Sequence, residues 1–257
     1  MLNFRNTNIF FISLLIILVG VHIKIGLPVY IYLLLFVVYS LIVFYGCCYV
    51  GSDFFIKIVC SAITDKKEIA ISFDDGPATN YTPKILQLLK QDNIKATFFC
   101  IGNRIAGNEN ILKQIKDDGH IIGNHSYSHH FWFDMYSSKK MLDDLKQMDH
   151  EMEKVIGVKP KLFRPPYGVT NPNVKKAIIN GGYIPVGWSV RSMDTVIKDE
   201  KKLLDKINKS IKPGAVFLFH DTSKTTLDAL PAFMREVKNS GYAIIPLDKL
   251  LDLQPYA

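Results

Sequence analysis

Glu68-Ile69-Ala70-Ile71-Ser72-Phe73-Asp74-Asp75-Gly76-Pro77 is an apolar run that stops at two adjacent carboxylates and a Gly-Pro turn. The β-branched and aromatic residues from Ile69 to Phe73, closed by turn residues, predict a short buried strand. Side chains at neighbouring positions of a strand end diverge, so Asp74 and Asp75 can serve different tasks in one site. A carboxylate is both a hard oxygen ligand and a proton acceptor, and metal-assisted hydrolysis uses one of each. Taken alone, Asp-Asp-Gly also describes a solvated turn, so the surroundings decide.

Downstream, short apolar runs alternate with amphipathic segments. Strands are predicted at 69–73, 96–101, 120–123, 161–164, 183–188, 215–219 and 242–245, and helices at 83–91, 109–118, 137–156, 172–180, 200–210 and 226–239. Pro83 and Pro172 suit first helical turns, and Gly119, Gly157, Gly181 and Gly241 suit helix ends. Seven strands alternating with helices imply parallel βα units in one domain, a barrel somewhat smaller than the eightfold form.

The chemical residues all fall at carboxyl ends of these strands. Asp74 and Asp75 follow the first, His125 and His129 the third, Arg164-Pro165-Pro166-Tyr167-Gly168 the fourth, Trp188 to Asp194 the fifth, and His220-Asp221 the sixth. Barrels of βα units build their sites on that face. The spacing of His125 and His129 stacks two imidazoles if the segment turns helical. With a carboxylate they form a three-ligand set that leaves a position open for water. An isolated His-x-x-x-His is commonly incidental, and a second carboxylate cluster on the same face changes that balance. Two prolines remove amide donors from 165 and 166, so the first free amide of that loop is at Tyr167, placed to meet an oxyanion. Arg164 can hold a carboxylate bidentately. His220 ends a buried strand and is the side chain suited to proton transfer near neutral pH. His22, His120 and His150 read as structural.

The blocks Ser72-Phe-Asp-Asp-Gly-Pro77, His125-Ser-Tyr-Ser-His129, Arg164-Pro-Pro-Tyr-Gly168, Trp188 to Asp194 and Leu218-Phe-His220 resemble, in order, the five motifs of the polysaccharide deacetylase family, the NodB-homology domain of carbohydrate esterase family 4. The resemblance covers about residues 66–250. It implies a distorted (β/α)7 barrel that removes N- or O-acetyl groups from glycans with a divalent metal, zinc foremost and cobalt, nickel or manganese as alternatives. By position it makes Asp75, His125 and His129 the metal ligands, Asp74 the general base and His220 the general acid. It further gives Arg164 the holding of Asp74, the Tyr167 amide a share in the oxyanion hole, Asp194 the orientation of His220, and Trp188 and Leu218 the acetyl pocket. On this reading His220 approaches from across the barrel mouth. The fourth block departs from the family pattern, with Arg191 where an acidic residue is common and Thr195 where Trp is common, which puts groove shape and substrate in question.

The first 57 residues lie outside the resemblance. Residues 9–23 carry no fixed charge, Lys24 to Pro28 interrupts, and 29–50 is a second uncharged run of about membrane-spanning length. A cleaved signal peptide is the competing reading, opposed by the second run and by the lack of a small-x-small cleavage site. Tyr30, Tyr32, Tyr45 and Tyr49 sit near the ends of the second run as interfacial aromatics do. A two-helix membrane hairpin over 1–57, with helices at about 9–23 and 29–50, and a catalytic domain over 58–257 are therefore expected. Arg5, Lys24 and Lys57 put one basic residue near each candidate face, so charge bias leaves the orientation open. The polymer substrate implied by the resemblance puts the domain outside the cytoplasmic membrane with Lys24 inside. The formal net charge of +7 is spread without a basic run, which excludes an evident nucleic-acid surface. Cys47, Cys48, Cys60 and Cys100 have no metal spacing. The implied partners are an acetylated glycan such as peptidoglycan or a chitin-like oligosaccharide, and membrane lipid. The alternatives are a deacylase of a lipid-linked sugar and a catalytically silent glycan-binding barrel.

Overall fold

The computed structural model describes residues 2–257. Two helices open the chain, α1 (Phe4–Ile25) and α2 (Val29–Cys48). Both are long and apolar enough to cross a membrane, and almost nothing on them is buried by the rest of the protein. The first starts five residues earlier than the uncharged run because Asn3 caps it, its side chain accepting from the Asn6 amide. Gly26 closes it in the left-handed conformation.

The remaining elements alternate. They are β1 (Glu68–Asp74), α3 (Thr82–Gln91), β2 (Thr97–Cys100), α4 (Glu109–Asp117), β3 (Ile121–Asn124), α5 (Ser138–Ile156), β4 (Leu162–Phe163), α6 (Pro172–Gly181), β5 (Ile184–Pro185), β6 (Val190–Arg191), α7 (Glu200–Asn208), β7 (Val216–His220), α8 (Lys224–Asn239), β8 (Ala243–Ile244) and α9 (Leu247–Leu251). The strands form one parallel sheet in the order β5-β4-β3-β2-β1-β7-β6, with β8 joined to β1. This is the α/β architecture of a distorted (β/α)7 barrel, in which β1 pairs with β2, β7 and β8.

The predicted strand over 183–188 is shortened to Ile184–Pro185, and a second short strand follows outside that span at Val190–Arg191. Ile184 and Pro185 pair with β4, whereas Val190 and Arg191 pair with β7. Between them the chain passes from one end of the sheet to the other, and residues 59–61 stitch the gap through bridges from Val59 to Val186 and from Ser61 to Ala215. Gly187 makes that crossing possible, because a Cβ there would stand 2.7 Å from Cys60 Sγ. The short helix α9 carries too few residues to show a 3.6-residue period, so the sequence pattern does not predict it.

The alternation of β1 aims the site. Ile69, Ile71 and Phe73 face the helical layer, where Phe73 stacks on Phe98 with ring centroids 5.0 Å apart and the cluster continues through Phe219 and Phe233. Burying each contributes about 1.5–3 kcal/mol. Ala70, Ser72 and Asp74 therefore point the other way, into the barrel. The register is fixed by this burial, since a one-residue slip would put Asp74 among phenylalanines.

Candidate active site

β1 lies between β2 and β7, and in that register Asp74 pairs with His220. Neighbouring strands stand about 4.8 Å apart. His220 is thus beside Asp74 on the adjacent strand, and the expectation that it reaches in from across the mouth is corrected by the strand order.

Asp74 is buried and its Oδ1 accepts from Arg164 Nη1 at 2.7 Å. The same nitrogen donates to Ser72 Oγ at 2.8 Å, Nη2 donates to Gly187 O at 2.7 Å and Nε to Val186 O at 3.2 Å. Arg164 is wholly buried, with its guanidinium 4.0 Å above the Phe99 ring. The bidentate grip expected of it is absent because its other nitrogens are taken by the carbonyls of the crossing segment. Burial lowers the Arg164 pKa and the Asp74 charge opposes that. With Oδ1 engaged, Asp74 Oδ2 faces the cavity, 3.8 Å from His125 Nε2.

Asp75 Oδ1 lies 3.6 Å from His125 Nε2 and 3.5 Å from His129 Nε2, and the three donors fall within 4.8 Å of one another. Donors about 2.0–2.2 Å from a tetrahedral ion are about 3.4 Å apart, and the two separations from Asp75 Oδ1 stand near that value. His125 Nδ1 donates to the Arg164 carbonyl at 2.8 Å, which leaves Nε2 as the ring nitrogen turned toward Asp75. Burial, and then the neighbouring His125, push the His129 pKa down to about 4, so its ring is neutral near pH 7. The donor set fits a divalent cation.

The His125–His129 segment is a loop and not the helical turn expected from its spacing. Asp144 of α5 accepts from the Tyr127 amide at 2.7 Å and the Ser128 amide at 3.3 Å, and Asn124 Oδ1 accepts from Ser126 N at 2.7 Å. These bonds hold Ser126 and His129 at φ 67° and 42°, which no helix allows. The rings still meet, with centroids 4.8 Å apart.

On the other side His220 Nδ1 donates to Asp194 Oδ1 at 2.7 Å, and its backbone amide donates to Asp194 Oδ2 at 2.6 Å. Thr226 also donates its hydroxyl to Asp194 Oδ2. Burial would lower the His220 pKa, but the hydrogen bond and charge of Asp194, with Asp74 and Asp75 behind them, raise it above the ordinary histidine value. Burial would raise Asp194, and its bonds to His220 and Thr226 bring it below the usual carboxylate range.

A cavity of about 180 Å³ joins the two halves, lined by Asp74, Asp75, His125, His129 and His220 with Tyr167, Trp188, Leu218, Arg191 and Thr195 among its walls. Arg164 and Asp194 stand behind the wall they support. Tyr167 has φ 59°, and Gly168 has φ 72° with its α-carbon so close to Trp188 that a Cβ would lie 2.6 Å from Cη2. His120 accepts from the Ala96 amide in the core, and His22 and His150 are far from the cavity on exposed helix surface.

Asp221 is placed by the sequence beside His220 at a strand end, with no role assigned to it. It is wholly buried beneath the Asp75-Gly76 turn, accepts from Thr82 Oγ1 at 2.6 Å, and would meet a Cβ on Gly76 at 2.0 Å. Burial raises its pKa to about 7, with Asp75 and Asp74 adding to the rise and Thr82 opposing it. Asp144 was legible only as an acid flanking the buried Met141, Leu145 and Met148 stripe of α5.

Residues 61–186 match the polysaccharide deacetylase family. The peptidoglycan-N-acetylmuramic acid deacetylase PdaA of Bacillus subtilis is 35% identical over 192 residues, 73% of each chain. The chain belongs to the polysaccharide deacetylase family. Among solved structures, the Bc1960 peptidoglycan N-acetylglucosamine deacetylase superposes on the deacetylase with a TM-score of 0.73 at 30% identity, covering 78% of this chain and 95% of that one. The barrel BA3943 of Bacillus anthracis, a pseudoenzyme of the same family, superposes with a TM-score of 0.70 at 29% identity, covering 75% and 68%. The fold alone therefore does not carry activity within the family, and the side chains of the cavity must.

Proposed function

We propose that this deacetylase removes N-acetyl groups from a cell-envelope glycan of peptidoglycan type, with one divalent metal, zinc foremost, held by Asp75, His125 and His129. The observation that carries this reading is the register of β1 against β7, which sets Asp74 beside His220 with the three-donor cluster adjoining. The named substrates of the relatives above support the choice of glycan. A bound cation of this kind polarises an acyl oxygen and acidifies water.

The chain's own groups supply the rest. Asp74, its Oδ1 fixed by Arg164, takes a proton on Oδ2 from the attacking water as the new C–O bond forms. An amine leaves poorly unless protonated, and His220, kept charged by Asp194, donates a proton to the nitrogen as the C–N bond breaks, giving acetate and a free amino sugar. The Tyr167 amide faces the developing oxyanion. Trp188 and Leu218 wall the space that takes the methyl group.

The first 57 residues are the proposed anchor and 58–257 the catalytic domain, on the outer side of the cytoplasmic membrane with Lys24 inside. Acetate release by the detergent-solubilised full chain from a panel of N-acetylated glycans tests the reading. Chelator-sensitive release is expected. Full turnover in a verified metal-free sample, or no release from any member of the panel, overturns it.

A further inference from the structure

The end of the hairpin is built into the wall of the active site. Thr170, which is buried, donates its amide to Cys47 O at 3.0 Å and its hydroxyl to Gly46 O at 3.2 Å in the last turn of α2. Tyr167 of the cavity wall is three residues away, a span of at most about 11 Å. The segment between α2 and the barrel has no slack: Val50, Phe54, Phe55 and Ile58 are buried, and the Phe4 amide of α1 donates to Phe54 O at 2.9 Å. The cavity wall is thereby fixed to within on the order of 15 Å of the helix end.

Two surface features border this junction. On one side Phe131, Trp132 and Met135 are 67%, 57% and 71% exposed, beside the half-exposed Tyr167 ring. Asn171, next to Thr170, holds their loop by donating to Asp134 O at 2.6 Å. On the other, a cavity of about 520 Å³ against Phe4 and Phe54 carries Arg5, Lys57, Lys175 and Lys176 around a single acid, Asp53. An aromatic ridge and a cationic cluster, both at the end of apolar helices, match the headgroup level of a bilayer, where Trp is favoured and each basic residue is drawn to anionic lipid.

We propose that Phe131, Trp132 and Met135 seat in the interface of the membrane that α1 and α2 cross, and that the acetylated sugar delivered to the cavity is one carried on a membrane lipid. This rests on the hairpin being membrane-embedded and on the deacetylation proposed above. A mouth held this close to the bilayer, with no flexible tether, meets lipid-borne sugars at the surface and cannot sweep through a polymer.

The test uses the full chain reconstituted in vesicles containing anionic phospholipid. The protein has two tryptophans, Trp132 and Trp188. In a Trp188→Phe variant, lipid brominated near the headgroup should quench the remaining Trp132 emission at least about twofold, and in Trp132→Phe the buried-side Trp188 should be quenched far less. In parallel, acetate release is compared between a synthetic N-acetylglucosaminyl diphosphate lipid in the same vesicles and a free N-acetylglucosamine oligosaccharide. The lipid-linked sugar should show kcat/KM about 10-fold higher or more. Trp132→Ser with Met135→Ser should cut that advantage about 10-fold, the loss of one buried side chain's worth of interfacial contact, while leaving turnover of the free oligosaccharide unchanged. Unquenched Trp132, or a free oligosaccharide turned over as well as the lipid-linked one, overturns the proposal. Quenched Trp132 with acetate released from neither substrate supports the membrane seat and overturns the deacetylation instead.

Discussion

Replacing Asp194 by Asn tests how His220 is held. The carboxylate accepts three hydrogen bonds, from His220 Nδ1 on Oδ1 and from the His220 amide and the Thr226 hydroxyl on Oδ2. An asparagine has one carbonyl oxygen, so it keeps either the first bond or the other two. Keeping the two leaves its amide group facing Nδ1, which must then accept. The ring proton moves to Nε2 on a neutral imidazole that no longer has a carboxylate to favour its charged form. Loss of a positioned acid in this way lowers kcat about 10²–10⁴-fold. One buried donor left unpaired costs about 1–3 kcal/mol of stability. The sign of the pH effect follows from the raised His220 pKa, which Asp194 sustains. Activity needs the protonated ring and falls as pH rises through that pKa, so the alkaline limb of kcat/KM should move to lower pH in Asp194→Asn. Acetate release measured from pH 5 to 10 reads both effects, and a metal titration shows that the chelating side is intact. An unshifted alkaline limb with near-normal kcat would refute the assignment of Asp194 as the group that orients and charges His220.

Four further outcomes are expected. Removing metal from the purified full chain should abolish acetate release and zinc should restore it, while His129→Ala should bind zinc well over tenfold more weakly by calorimetry. Arg164→Lys cannot replace four donors spread over Asp74, Ser72, Val186 and Gly187, and by leaving a buried carboxylate poorly paired it should cost about 3–5 kcal/mol in unfolding free energy. Gly168→Ala forces a Cβ against Trp188 at a positive φ and should raise KM for the glycan, with about 1 kcal/mol or more of stability lost in thermal unfolding. Burial holds the pKa of His120 at about 4 against an ordinary 6.5, a shift whose stabilisation is full above pH 6.5 and lost as pH falls toward 4. It amounts to about 3 kcal/mol, so unfolding between pH 7 and 4 should be less pH-dependent in His120→Gln.

The parts of the fold written in local pattern were legible. Ile69 to Phe73 is a β-branched and aromatic run closed by turn residues, and that alone predicts the buried strand that ends at the two carboxylates. The order of motifs along the chain assigned each candidate to a strand end, and these ends meet at one cavity, with Arg164 and Asp194 behind its wall. What depended on which strands are neighbours was not legible. His220 comes from the last third of the chain, yet it pairs with Asp74, because β7 crosses back beside β1. The end of β5 at Pro185 and the start of β6 at Val190 follow from the sheet needing to close, a requirement that no window of sequence contains. The loop form of 125–129 depends on Asp144, contributed by a helix a dozen residues later.

The backbone shows where this closure is costly. Among the described residues eight non-glycine positions have positive φ, and five of them, Asp75, Ser126, His129, Tyr167 and Met193, lie in the loops that carry the site. Such conformations cost about 1 kcal/mol or more apiece and persist only when the surroundings fix them. Four of the five are fixed by named bonds. Arg104 donates to the Asp75 carbonyl, Asn124 and Ser126 accept from the Ser126 and His129 amides, and the Met193 carbonyl accepts from Ile197 N. A relaxed strand end would turn Asp75 and its neighbour to opposite faces of the sheet. With φ at 77°, Asp75 instead leaves the strand direction and lies 3.6 Å from His125 Nε2, while Asp74 remains with Arg164 and His220. Two adjacent carboxylates thus share one cavity with distinct partners, and the burial of β1 and its flanking phenylalanines is what stabilises a turn that the local chain would not adopt unaided.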